Sequence, residues 1–145
     1  MSLFSTLSVS ASGMSAQRTR AELLVENLAN AETTRTPEGG PYRRKDVAFA
    51  EDDALGSVSS QLDSALGSNA AGVTVSDTIV DSRPSERRYM PGHPDADKDG
   101  YVEFPNVNPA EDMVDLMGAS RSYEANVAAI SAVKDMIQKS LDLFH

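Results

Sequence analysis

The stretch NPAEDMVDLMGASRSYEANVAAISAVKDMIQKSLDLFH, from Asn108 to His145, decides the fold. Met113, Leu116, Ser120, Tyr123, Val127, Ile130, Lys134, Ile137, Leu141 and Phe144 recur at alternating spacings of three and four, which lays them along one narrow stripe of a helix. Met117, Val133 and Met136 widen that apolar face. The start is well marked: Asn108 suits a cap, Pro109 suits the first helical position, where its missing N–H would be unpaired anyway, and Glu111 can reach back as in a capping box. These signals predict a helix from about Pro109 to about Phe144, on the order of 50 Å long at roughly 1.5 Å rise per residue.

The other end of the chain repeats the pattern. Phe4, Leu7, Ala11, Met14, Arg18, Ala21, Val25 and Leu28 follow the same alternation, broken only at Arg18. Ser8, Ser10, Ser12, Gly13 and Ser15 lie off the stripe and have modest to poor helix propensity. Such a helix is marginal alone and needs its stripe buried against a partner. The two stripes could pair with each other in a hairpin; Met117, Val133 and Met136 would still leave apolar surface for another chain. The expected fold is mainly α, with long terminal helices forming a coiled-coil-like bundle around a small β-containing or irregular middle. It divides into an N-terminal helix (1–30), a middle region (31–108) and a C-terminal helix (109–145).

Composition agrees with a small core. Only 40% of the 145 residues are hydrophobic and 6% aromatic, with no Trp. The formal charge of −9 falls mostly on the middle region and argues against nucleic-acid binding, which depends on neutralising phosphates. The basic clusters Arg43-Arg44-Lys45 and Arg87-Arg88 read as solvated loop or strand positions. Without Cys there are no disulfides or thiolate metal sites. The N-terminus has no basic n-region and no long apolar run, so on its own it reads as remaining in the cytosol.

After Leu28, Asn30 is a plausible helix stop, and Pro37, Gly39, Gly40 and Pro41 forbid helix beyond it. YRRKDVAFA and VTVSDTIVDS have the β-branched content and partial alternation of strands, with a Ser/Ala/Gly-rich insertion at 56–72 between them. Farther on, HPDADKDGYVEFPNVN (93–108) opens like a calcium loop, with Asp95, Asp97 and Asp99 at positions 1, 3 and 5, Gly100 at 6 and Glu103 at 9. Position 12 is Asn106, where the template needs a bidentate Glu. Pro91 and Pro94 occupy the place of the entering helix. Asp-Lys-Asp-Gly is also strong turn chemistry, and Tyr-Val-Glu-Phe then reads as a short strand. His93 is the one internal histidine, and no nucleophile, base and orienting acid come together, so no catalytic residue is assigned.

SASGMSAQR, ENLANAETTRTPEGGPYRRKDV, PGHPDADKDGYVEFPNVN and EDMVDLMGASRSYEANVAAISAVKDMIQKSL together resemble the bacterial flagellar basal-body rod proteins, specifically the proximal-rod type. They cover about two-thirds of the chain in the family's order; 51–72 carries little resemblance. The resemblance implies a non-enzymatic axial subunit of the drive shaft that transmits torque. Its partners would be other copies of itself and other rod proteins, with no nucleic acid, small-molecule substrate or cofactor. It also implies passage through the flagellar type III export apparatus without a cleaved signal peptide and assembly across the periplasm, which replaces the cytosolic reading. Leu7, Ala11, Met14, Ala21, Val25 and Leu28, with Met113, Leu116, Tyr123, Val127, Ile130, Ile137 and Leu141, are then the expected assembly interface. Asn27, Asn30, Gly39, Gly40 and Tyr42 lie where the chain turns out of the bundle, and His93, Asp95, Asp97, Gly100, Asn106 and Asn108 form the second family-like turn. The alternatives are a small helical calcium-binding module using the Asp95–Glu103 loop and a cytosolic coiled-coil adaptor.

Overall fold

A computed structural model describes residues 3–52 and 71–143. Two long helices, α1 (Leu3–Ala29) and α2 (Pro109–Asp142), enclose in sequence four strands: β1 (Lys45–Asp52), β2 (Gly72–Val80), β3 (Glu86–Tyr89) and β4 (Tyr101–Phe104). Of the described residues 49% are helical and 20% are in strands. "Mainly α" is thus only roughly right: the strands make two separate antiparallel pairs, β1–β2 and β3–β4. Most of the Ser/Ala/Gly-rich insertion, with Phe144 at the end of the C-terminal stripe, lies outside the described residues.

α2 begins as its sequence dictates. Asn108 is extended and its side chain accepts from the Ala110 N–H, Pro109 follows at the first helical position, and Glu111 and Asp112 place negative charge in the first turn, where the helix dipole favours it. α1 lies antiparallel to α2. Arg20 meets Asp115 at 3.6 Å, while a Cβ on Gly13 would stand 3.1 Å from the Asn126 amide nitrogen, so position rises on one helix as it falls on the other. α1 has 27 residues and α2 has 34.

The β1–β2 ladder runs from Lys45↔Val80 to Asp52↔Gly72, with one irregularity between Ala48 and Phe49. It docks on α1 through small groups. The Val73 N–H donates to Ser12 Oγ at 3.0 Å, and Ser12 in turn donates to the Val9 carbonyl. A Cβ on Gly72 would come within 2.8 Å of that hydroxyl, so glycine is what permits the approach. β3 pairs with β4 from Glu86↔Phe104 to Tyr89↔Tyr101. β4 alternates as a half-buried strand should, Val102 and Phe104 inward, Tyr101 and Glu103 outward. β3 lacks that alternation, being exposed throughout, and the sequence leaves its Arg87-Arg88 open between loop and strand. Arg87 lies over the Tyr101 ring and Arg88 over Phe104, so cation–π contacts reinforce the pair.

Candidate assembly interface

The helical hairpin buries a face that hydrophobicity does not mark. On α1 the row Ser10, Gly13, Gln17, Arg20, Leu24 and Asn27 holds the buried Ser10, Leu24 and Asn27, with Ala16 beside it. On α2 the matching row is Asp112, Ala119, Asn126 and Val133, of which Asp112, Ala119 and Val133 are buried. A pairing of the two apolar stripes is therefore at most partial: small and polar side chains with Leu24 and Val133 fill the closest contact, and no described stripe residue is more than half-buried. Val133, expected to widen an outward-facing surface, is in the intramolecular core.

The stripes themselves are only partly covered. Val25, Met113, Tyr123, Val127 and Leu141 are exposed, as are Met117 and Met136, whereas Leu7, Met14, Ala21, Leu28, Leu116, Ile130 and Ile137 are half-buried and Ala11 is exposed. Arg18 and Ala21 from α1 and Leu116, Ala119, Ser120 and Tyr123 from α2 line one open groove between the helices. At this level the two stripes border the same side of the hairpin.

At the other end of α1 the chain is clamped. Asn27 is fully buried; its Oδ1 accepts from the Tyr42 hydroxyl and the Lys45 N–H, both at 2.9 Å, and its Nδ2 donates to the Lys45 carbonyl at 2.8 Å. The carboxamide treats the first residue of β1 as a neighbouring strand would. Lys45 Nζ adds an ion pair with Glu26 at 2.6 Å. Burial pushes the Tyr42 phenol up to about 12, with the nearby Glu26 charge acting in the same direction. Between these anchors Arg44 reaches across to Asp112 in the first turn of α2, at 2.7 Å. Arg44 is therefore not the solvated position expected of its cluster; Arg43, Arg87 and Arg88 are exposed. Asn30 closes α1 by donating its side-chain amide to the Glu26 carbonyl, and Gly39 and Gly40 adopt positive φ of 92° and 78°, open to glycine without strain.

The acidic segment is folded as a turn. Asp97 Oδ1 accepts from the N–H groups of Asp99 and Tyr101, and its Oδ2 takes Arg87 at 2.8 Å; these bonds, the Tyr101 N–H foremost, hold its carboxyl below the usual range. Asp95 accepts from Thr34 at 2.7 Å and faces Arg35, tying this turn to the loop after α1. His93 Nδ1 accepts from the Asp95 N–H while its ring packs edge-on to Phe104. Gly100 has φ 80°. Asn106 is half-buried. Among the described residues no three His, Asp or Glu side chains converge to hold a metal ion, and no helix is long and apolar enough to cross a membrane.

Residues 98–143 match the family model described as flagellar basal body rod FlgEFG protein C-terminal. Over nearly the whole chain, the sequence is 42% identical to the flagellar basal-body rod protein FlgC of Borreliella burgdorferi, covering 97% of each. It is 42% identical to FlgC of Bacillus subtilis, covering 99% of each, and 40% identical to FlgC of Escherichia coli O6:H1, covering 99% of this chain and 98% of that one. The chain belongs to the FlgC family of flagellar basal-body rod proteins. It is accordingly a structural subunit of the flagellar basal body, not an enzyme. For this FlgC-family chain the calcium-module alternative has no support in the comparisons, and the clamp residues Asn27, Tyr42 and Lys45 fall in a segment that already resembled the family. What sequence reasoning missed was Arg44–Asp112, whose partners stand 68 positions apart with no local signal to join them.

Proposed function

We propose that this subunit is a proximal-rod element whose two apolar stripes are the surface on which other copies and other rod proteins pack. Leu7, Ala11, Met14, Ala21, Val25 and Leu28 on α1 and Met113, Leu116, Tyr123, Val127, Ile130, Ile137 and Leu141 on α2 supply the contacts. The observation that carries this reading is that Ala21 of one stripe and Leu116 and Tyr123 of the other line one open groove between the helices, while Val25, Met113, Val127 and Leu141 are exposed. Apolar area of this kind gains roughly 25 cal/mol per Å² when a neighbour covers it.

In this reading the chain works in three parts. Segments 1–30 and 109–145 form the packing core of the shaft, and 31–108 stands off it at an angle fixed by the Asn27 clamp and the 93–108 turn. The assembled rod spans the periplasm and transmits torque. The subunit travels through the flagellar type III export apparatus without a cleaved signal peptide.

Val127→Asp, in a flagellated strain carrying this chain as its only copy, tests the interface. Val127 is 42% exposed, so the isolated chain tolerates the charge, but a covering neighbour must desolvate it at a cost of several kcal/mol. The variant should be secreted yet yield no intact basal bodies and no swimming, whereas Glu38→Gln in the exposed loop should swim. Normal motility of Val127→Asp would remove the stripe from the interface.

A further inference from the structure

The face by which α2 meets α1 repeats every seven residues: Asp112, Ala119, Asn126, Val133. Opposite it stand mainly small or polar groups, among them Ser10 and Gly13. Faces of this kind lose little packing when displaced by one heptad, about 10.5 Å along the axis, because among the described residues Leu24 is the one large apolar side chain buried on the α1 side. Ala119 or Val133 could stand opposite Gly13 in place of Asn126. Packing alone therefore discriminates weakly between alignments.

One buried ionic contact does not repeat. Asp112 is 2% exposed and takes Arg44 at 2.7 Å. After a displacement of one heptad Arg44 would face Ala119 or Pro105, and its guanidinium would lie partly buried without a counter-charge. A buried ion pair adds little stability over an apolar pair of similar volume, but breaking one is costly, and fixing register is its best-attested use. This pair is made by one hydrogen bond, and Arg44 Nε and Asp112 Oδ2 have no partner among the described residues. It is poorly built for stability and well placed for discrimination. Arg20–Asp115, at 3.6 Å and about one-third exposed, contributes less.

We propose that Arg44 and Asp112 form a register pin, the buried ion pair that selects one of several heptad-related alignments of α2 on α1. The pin joins the start of β1 to the first turn of α2, so it also sets how far the far end of α2 projects beyond α1. It holds whichever neighbours cover the stripes.

The absence of native cysteine makes alignment directly readable in the purified full chain. Gly13→Cys with Asn126→Cys reports the native register; Gly13→Cys with Ala119→Cys or with Val133→Cys reports a displacement of one heptad either way. Each pair is oxidised in three backgrounds: unaltered, Arg44→Met with Asp112→Leu, and the exchange Arg44→Asp with Asp112→Arg. The unaltered background should give only the 13–126 disulfide. The Met/Leu background should keep its helical circular dichroism while the displaced disulfides rise at least about tenfold, the equivalent of about 1.4 kcal/mol of lost discrimination. The exchanged pair should restore the single product. Cross-linking in the Met/Leu background confined to 13–126 overturns the proposal. Should that background lose its helical signal, the exchange decides: a folded exchange with one register supports the pin, and one spread over several registers refutes it.

Discussion

Replacing Asn27 with leucine removes, from a position closed to water, both the acceptor and the donor that hold the start of β1. The Lys45 N–H and carbonyl point away from β2, because the neighbouring Asp81 N–H to Arg44 carbonyl bond at 2.8 Å uses the groups on that side. Both would lose their partner, and the Tyr42 hydroxyl with them. An unsatisfied buried polar group costs about 1–3 kcal/mol, so the two backbone groups alone bring the loss to about 2–6 kcal/mol, against a total stability of about 5–15 kcal/mol for an ordinary domain. Tyr42→Phe removes only the hydroxyl and leaves Asn27 its two bonds to Lys45, for about 0.5–1.5 kcal/mol. Urea unfolding followed by far-ultraviolet circular dichroism measures both. The alkaline limb gives a second reading. With the Tyr42 phenol held at about 12 in the folded chain, above its ordinary 10, the folded state binds that proton more tightly than the unfolded one. The stabilisation is whole below pH 10 and is lost as pH climbs from about 10 to about 12, on the order of 2–3 kcal/mol in all. Tyr42→Phe should flatten that fall. An Asn27→Leu chain within about 0.5 kcal/mol of the parent, or an alkaline profile unchanged by Tyr42→Phe, would refute the clamp.

Gly100→Ala should cost about 2 kcal/mol or more, since it forces a side chain into positive φ and brings its Cβ within 2.9 Å of Tyr89. Gly39→Ala, at φ 92° but facing open space, should cost about 1–2 kcal/mol and no more; equal urea midpoints for the two would contradict the crowding at Gly100. Millimolar calcium should leave the melting temperature unchanged, because Asp95 and Asp97 already hold Thr34, Arg87 and two backbone N–H groups. A calcium-dependent rise abolished by Asp95→Ala would show a bound ion.

α2 was legible nearly to the residue because its cap, its proline and its periodicity agree. α1 was legible as an element but not as a surface. Its most apolar row, Leu7 to Leu28, is at most half-buried; Ser10, Ala16, Leu24 and Asn27 are the residues it buries. The rule that the apolar stripe faces the core holds for a chain that completes its core alone. Under the proposed packing the subunit keeps much of its apolar stripe for neighbours and closes its own hairpin largely with small and polar groups. β1 and β2 followed from their β-branched residues. β3 did not, because Glu86-Arg87-Arg88-Tyr89 has neither alternation nor burial and owes its shape to the strand and rings beside it. The clamp showed only as a family-like motif around Asn27; its bonds depend on Tyr42 and Lys45 returning to the end of α1, which no local pattern encodes.

The antiparallel pairing of the first and last helices has a kinetic consequence. Helical proteins usually fold fast because their contacts are local in sequence. Here Arg20 and Asp115 lie 95 positions apart, so the hairpin forms only by closing a loop across most of the chain. Its closing contacts are non-local, as in a sheet protein, and α1, though met earlier by β1 and β2, gains its helical partner only after the final helix has been made available. A polypeptide delivered N-terminus first would therefore leave its helical hairpin open for nearly its whole length and close it late, where its last helix arrives.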